Sequence, residues 1–257
     1  MHLENVSRRD PAFTRSDLLF CGATLSLLML VVFSTWGGSR SRVFQVVDAN
    51  NHGRILKGVS MYAADHNQFL PNIGWGTLMP CWAHAPLIPS GGAASLAQYE
   101  VIHQQQLASV TNGQLFPYLH DPRVYMCPAD RPDGPLFWQR NIYISSYVWN
   151  GAGNGYGNSP TYKLTQFRPD AILEWETDER TPFFYNDCSS FPDEGLSTRH
   201  VVETLVGQYG GSVDTIRITN WFKNDLAGPA GTRGAAIPPS LLPNRLWCNP
   251  GTTSGRQ

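Results

Sequence analysis

The chain has 257 residues, with 19 basic and 20 acidic side chains and a formal net charge of −1. A nucleic-acid surface needs a lopsided positive face, so this balance disfavours that partner and no nucleic acid is expected. Charged residues make up only 15% while glycine, proline and aromatic residues are plentiful, a texture that suits a loop-rich, extracytoplasmic β-containing domain better than a helical cytosolic enzyme.

Pro11 breaks a helix, so the first helix is expected to begin after it. Leu18 to Trp36 then forms an apolar run of 19 positions without a formal charge. At ~1.5 Å per residue it reaches roughly 28 Å, close to the ~30 Å hydrocarbon core of a bilayer. A retained membrane span is expected; Gly37, Gly38 and Ser39 also resemble the small-residue site of a cleaved export signal. Arg8, Arg9 and Arg15 precede the run, and Arg40, Arg42, Arg54 and Lys57 follow it, so charge gives no orientation. Beyond it, Ile55, Leu56, Val59 and Tyr62 draw one helical stripe. Gly53 and Gly58 weaken that helix, and Pro71 cannot continue it. The spacing predicts one helix from Phe13 to about Asp65.

After Pro71 the chain turns irregular. A short helix is expected over Ser95–Leu107, a helical turn over Gly113–Leu119, and strands over Asn141–Asn150 and Ala171–Thr177. Val201–Val206 and Ser212–Thr219 flank Gly207–Gly211 as a hairpin. The tail from Gly228 reads as loop with a mobile end.

Several of these pieces resemble a known family. Phe13-Thr14-x-x-Asp17-Leu18-Leu19 is similar to the start of type IV prepilins and type II secretion pseudopilins. The order of Tyr62-Ala63-Ala64-Asp65 with Pro71, Pro117-Tyr118-Leu119, Cys127-Pro128-Ala129-Asp130, Ser146-Tyr147-Val148-Trp149-Asn150, and Arg199-His200 before Gly210-Gly211 resembles the planctomycete and verrucomicrobial prepilin-like family. Departures are visible: Arg15 and Ser16 replace apolar residues, Asp17 stands for Glu, Ala12 for Gly, and Gly210 for Asp. The resemblance implies an α+β pilin-like fold, with a long N-terminal helix packed on a small antiparallel sheet with long loops. It implies a leader over 1–12, a transmembrane half over 13–38, an amphipathic half over 39–66, and an extracytoplasmic globular domain over 67–257 with a flexible tail. It further implies cleavage between Ala12 and Phe13 by a prepilin peptidase, methylation of Phe13, and assembly in which Asp17 pairs with the Phe13 amine of another subunit. The expected role is a structural pseudopilin or minor pilin of the cytoplasmic membrane, single-pass, with other pilin subunits as partners. The alternative is a membrane-tethered ligand-binding domain, with carbohydrate as a candidate ligand, that does not polymerise.

Each motif has a plain chemical reading beside that one. Thr14-x-x-Asp17 is also a capping box at a helix start. Cys81, Cys127, Cys188 and Cys248 form an even set that allows two disulfides or four buried thiols. Pro128 forces Cys127 to be extended, and Asp130 is expected to cap the next turn. A nucleophilic cysteine needs an oriented histidine base, and disulfide or packing is the better reading of Cys127. His200 is expected to be structural and bonded to backbone, while Gly210-Gly211 supplies the turn of the hairpin. Glu174, Glu176, Asp178 and Glu179 are read as solvated acids. Eight tryptophans are read as packing residues more readily than as sugar platforms. With no phosphate loop, no Gly-x-Ser-x-Gly and no His-Glu-x-x-His, no catalytic residue, metal or cofactor is expected, and no enzymatic activity.

Overall fold

The computed structural model describes residues 14–87 and 89–257; within the first helix it describes the side chains of residues 15–29 and of those from 42 onward. Ala12 and Phe13, the expected cleavage and methylation positions, lie outside the described residues. Helix α1 runs over Arg15–Asp65. The chain divides into two compact units, Met1–Val43 and Phe44–Gln257.

In the first unit, α1 begins with a reciprocal cap. The Thr14 N–H donates to Asp17 Oδ2 at 2.9 Å, and the Asp17 N–H donates to Thr14 Oγ1 at 3.2 Å. These bonds satisfy backbone donors that a helix start otherwise leaves bare. Leu18, Leu19, Phe20, Leu25, Leu27, Leu28 and Met29 are exposed. Thr24 and Ser26 turn their hydroxyls back onto the carbonyls of Phe20, Cys21 and Gly22.

The structure corrects the membrane expectation. Among the described residues no helix is long and apolar enough to cross a membrane. The transmembrane half over 13–38 and the single-pass cytoplasmic-membrane placement are not supported on this finding. The expected fold class is corrected as well. Helix α1 is continuous over Arg15–Asp65, but among the described residues it is not apolar enough to cross a membrane, and the chain divides after Val43 into two compact units.

The sheet also differs from the small antiparallel one expected. It has five strands: β1 Tyr147–Asn150, β2 Ile172–Glu176, β3 Ser189–Ser190, β4 Glu203–Gln208 and β5 Val213–Arg217. Their order is β3-β1-β2-β4-β5, and β1 pairs parallel to β3, so the sheet is mixed. The parallel pair arises because β3 is only two residues long and reaches the edge after a long crossover from β2. Glycines shape the β4–β5 turn for two different reasons. Gly211 has φ +88°, a conformation that side chains rarely adopt, whereas a Cβ on Gly210 would sit 2.6 Å from the Pro169 carbonyl.

The C-terminal part of α1 buries Asp48, Asn51, His52, Ile55, Leu56, Val59 and Ala63. Their spacing of three and four keeps them on one face. Ile55, Leu56 and Val59 lie in the main core, each worth about 1.5–3 kcal/mol of burial. Helix α2, Leu96–Val110, starts at Ser95, whose hydroxyl accepts from the Gln98 N–H at 3.3 Å. The segment from Gly228 is packed. Leu246 and Trp247 are fully buried, the Ile172 N–H donates to Arg245 O at 2.7 Å, and Asn150 Nδ2 donates to Leu246 O at 2.8 Å. The segment is loop, as its proline and glycine content suggested, and side-chain burial with these bonds holds it in place.

Candidate functional site

Strand β2 alternates apolar and acidic side chains. Glu174 and Glu176 lie on one face, opposite Trp149 and Tyr147 of β1. That face is not solvated. Both carboxylates are fully buried, a correction to their reading as solvated acids. An unpaired buried charge is costly, so each needs a partner. Glu174 takes a hydrogen bond from Trp149 Nε1 at 3.0 Å and pairs with His52 Nδ1 at 2.8 Å. Glu176 pairs with Arg199 through one oxygen and with His200 Nε2, at 3.1 Å, through the other.

Asp48 and His52 stand one helical turn apart on α1 and supply the helix side of the cluster. Tyr147 donates its hydroxyl to Asp48 Oδ1 at 2.5 Å, and Asp48 Oδ2 lies 3.3 Å from His200 Nε2. Asp130 closes the other end. It accepts from Arg140 through two bonds of 2.8 and 3.2 Å, from Ser146 Oγ at 2.8 Å, and lies 3.3 Å from Arg199. Four carboxylates, Asp48, Asp130, Glu174 and Glu176, thus face two guanidiniums and two imidazoles.

The ionisation follows from this pairing. Burial lowers the pKa of His200, but the bonds to Asp48 and Glu176 outweigh it and raise the value to about 9. His52 is raised in the same way, burial being overcome by Glu174. Burial pushes Glu176 up, yet the Arg199 charge and His200 bring it well below the ordinary carboxylate range. Asp48 goes the other way: burial first, and then the charge of Glu176, raise it.

Of the residues the sequence singled out, the fold brings Cys127, Asp130, Arg199 and His200 to this cluster. His200 bonds to carboxylates, a correction to the backbone partner expected. Asp130 serves Arg140, Arg199 and Ser146 rather than only capping its turn. Cys127 lies 3.6 Å from His200 Nε2. It is no nucleophile: it is buried, and desolvation together with Glu176 and Asp48 raises its thiol far above the ordinary value. Pro128 lines a groove beside Cys127. Gly210 and Gly211 sit in the hairpin turn against Pro169 and take no part in the cluster. All five cysteines are free, the four-thiol alternative for Cys81, Cys127, Cys188 and Cys248. Cys81 and Cys188 nevertheless lie together. Asp17 is engaged by Thr14, the capping-box alternative.

Sequence reasoning missed Asp48 and His52. Their signal was available: positions 48, 52, 55 and 59 share one helical face with the apolar stripe.

Asp48, Cys127, Glu176 and His200 place four donor atoms within 4.8 Å of one another. The chemistry fits an ion-pair network better than a cation site. Both oxygens of Glu176 are taken, by Arg199 and His200, and the Arg199 guanidinium repels a cation beside Glu176. Compared with known proteins, the chain matches no family model, no curated protein and no solved structure.

Proposed function

We propose that the chain is a structural subunit of a pilin-like assembly, not an enzyme, joined to other copies through the N-terminal part of α1. One observation carries the reading. From Leu18 to Met29 the helix bares seven large apolar side chains, each more than half exposed. Apolar area of this kind is stabilised by cover, and identical amphiphilic helices cover one another. The folded unit supports the same role, since its titratable cluster is ion-paired and shielded from solvent and thus suited to rigidity rather than turnover. The family resemblance adds cleavage before Phe13 and pairing of Asp17 with a neighbouring amine as the maturation and register devices; a membrane-crossing helix is no part of the proposal. Sedimentation of the full chain tests it. Self-association that rises with concentration, and is lost in Leu19→Asp/Phe20→Asp with unchanged circular dichroism of the folded unit, is the expected result. A wild-type chain that stays monomeric throughout refutes the reading.

A second reading, a ligand-binding domain, rests on a groove of about 770 Å³ in the folded unit, lined by Val46, Val47, Leu107, Val124 and Met126. Carbohydrate is disfavoured there: Trp82, Trp149, Trp175, Trp221 and Trp247 are all buried, and none lines the groove. An apolar dye that binds wild type and not Val47→Arg would favour this reading; equal binding to both would remove it.

A further inference from the structure

Apart from the acidic cluster, one further group of metal-ligating side chains is found among the described residues. Cys81, His84 and Cys188 are all fully buried, and their donor atoms lie within 4.8 Å of one another. The loop backbone fixes them. The Cys81 N–H donates to His84 O at 2.7 Å, which folds Cys81-Trp82-Ala83-His84 into a tight turn with both side chains close. The Cys188 N–H donates to Gly74 O at 3.1 Å, and Trp82 Nε1 donates to Cys188 O at 3.1 Å. Gly74, at φ +101°, lies so close that a Cβ there would meet the Cys188 Cβ at 3.0 Å and the Cys81 sulfur at 3.2 Å.

Two polar atoms at this place are buried without a partner, the His84 Nε2 and the Tyr125 hydroxyl. The Tyr125 ring packs 5.7 Å from that of Trp82, inside the Cys81–His84 turn. Buried polar atoms are rarely left bare, and an ion accounts for such a pair. The other His84 nitrogen, Nδ1, is held by the Ala85 carbonyl at 2.5 Å. A histidine that gives its Nδ1–H to a backbone carbonyl keeps its lone pair on Nε2, the arrangement of a metal-bound imidazole.

We propose that Cys81, His84 and Cys188 form a binding site for a zinc ion, with the fourth position left to a water. The donor set of two thiolates and an imidazole selects a soft or borderline metal, not calcium or magnesium. In a tetrahedral zinc site, sulfur and nitrogen donors stand roughly 3.5–3.8 Å apart, so small side-chain shifts complete it. Binding releases the thiol protons to solvent and leaves His84 neutral. The ion ties the loop around Gly74 and Trp82 to the segment entering β3. The acidic cluster has a single thiol, and its Glu176 oxygens are already paired with Arg199 and His200.

The test uses the full chain, purified under reducing conditions and titrated with zinc alone. One equivalent should bind, and cobalt in its place should show tetrahedral bands with thiolate-to-cobalt charge transfer. His84→Ala and Cys188→Ser should each weaken zinc by more than the roughly 10–100-fold typical of losing a supporting contact. His103→Ala, remote from the cluster, should bind as wild type does. If His84→Ala or Cys188→Ser does not fold, the wild-type cobalt spectrum decides alone: without thiolate charge transfer the proposal falls. It falls equally if reduced wild type binds no zinc, or if peptide mapping of the native, unreduced chain finds Cys81 and Cys188 joined as a disulfide.

Discussion

His200 makes the stability of the folded unit depend on pH in a direction opposite to that of a carboxylate-dominated protein. Its ordinary value of 6.5 is raised to about 9 in the fold. The folded chain therefore holds a proton that the unfolded chain has released across this interval. The stabilisation is complete below 6.5 and is lost as pH rises through about 9. Each tenfold change in proton affinity is worth about 1.4 kcal/mol, so the gap sets a ceiling of ~3 kcal/mol. The loss falls below that ceiling, because Asp48 and Glu176 readjust once the imidazole is neutral. The groups facing His200 are Asp48 from α1, Glu176 from β2, and Cys127. Urea unfolding followed by tryptophan fluorescence, from about pH 6 to about pH 10, should show wild type losing stability steadily over that window. His200→Gln, less stable at neutral pH, should show a flatter profile, its residual slope coming from His52, which is raised in the same sense. Parallel profiles for wild type and variant would refute the assignment of a protonated, doubly paired His200.

The remaining predictions concern the same network and its frame. Arg199→Ala strands the buried Glu176 and weakens the hold on Asp130, and should cost about 3–5 kcal/mol in urea unfolding; a cost below about 1 kcal/mol would show that the pair is solvated. Trp82 stacks on Trp149 at 4.7 Å, so Trp82→Ala should lose about 3–5 kcal/mol through the cavity it opens. In the β4–β5 turn, Gly211→Ala meets open space and should cost only the strain of its backbone, about 1–2 kcal/mol. Gly210→Ala collides with the Pro169 backbone and should cost more; the reverse order would contradict the turn geometry described.

The amino-acid sequence by itself determined local features. The stripe of Ile55, Leu56 and Val59 faces the core because a 3.6-residue period leaves one face to bury. Thr14 and Asp17 cap α1 because their side chains need reach only three residues. The Gly-Gly turn is legible for the same reason, as its conformation is set within a few bonds. Tertiary structure alone decided the rest. Glu174 and Glu176 look like solvated acids until His52, Arg199 and His200 arrive from positions far along the chain. Asp48 looks like helix surface until β1 brings Tyr147 against it. Cys81 and Cys188 are 107 positions apart, and only the crossover to β3 places them beside His84. Burying a charge or assembling a donor set depends on long-range closure, whose partners no local pattern specifies, whereas a cap, a stripe or a turn is settled by neighbours.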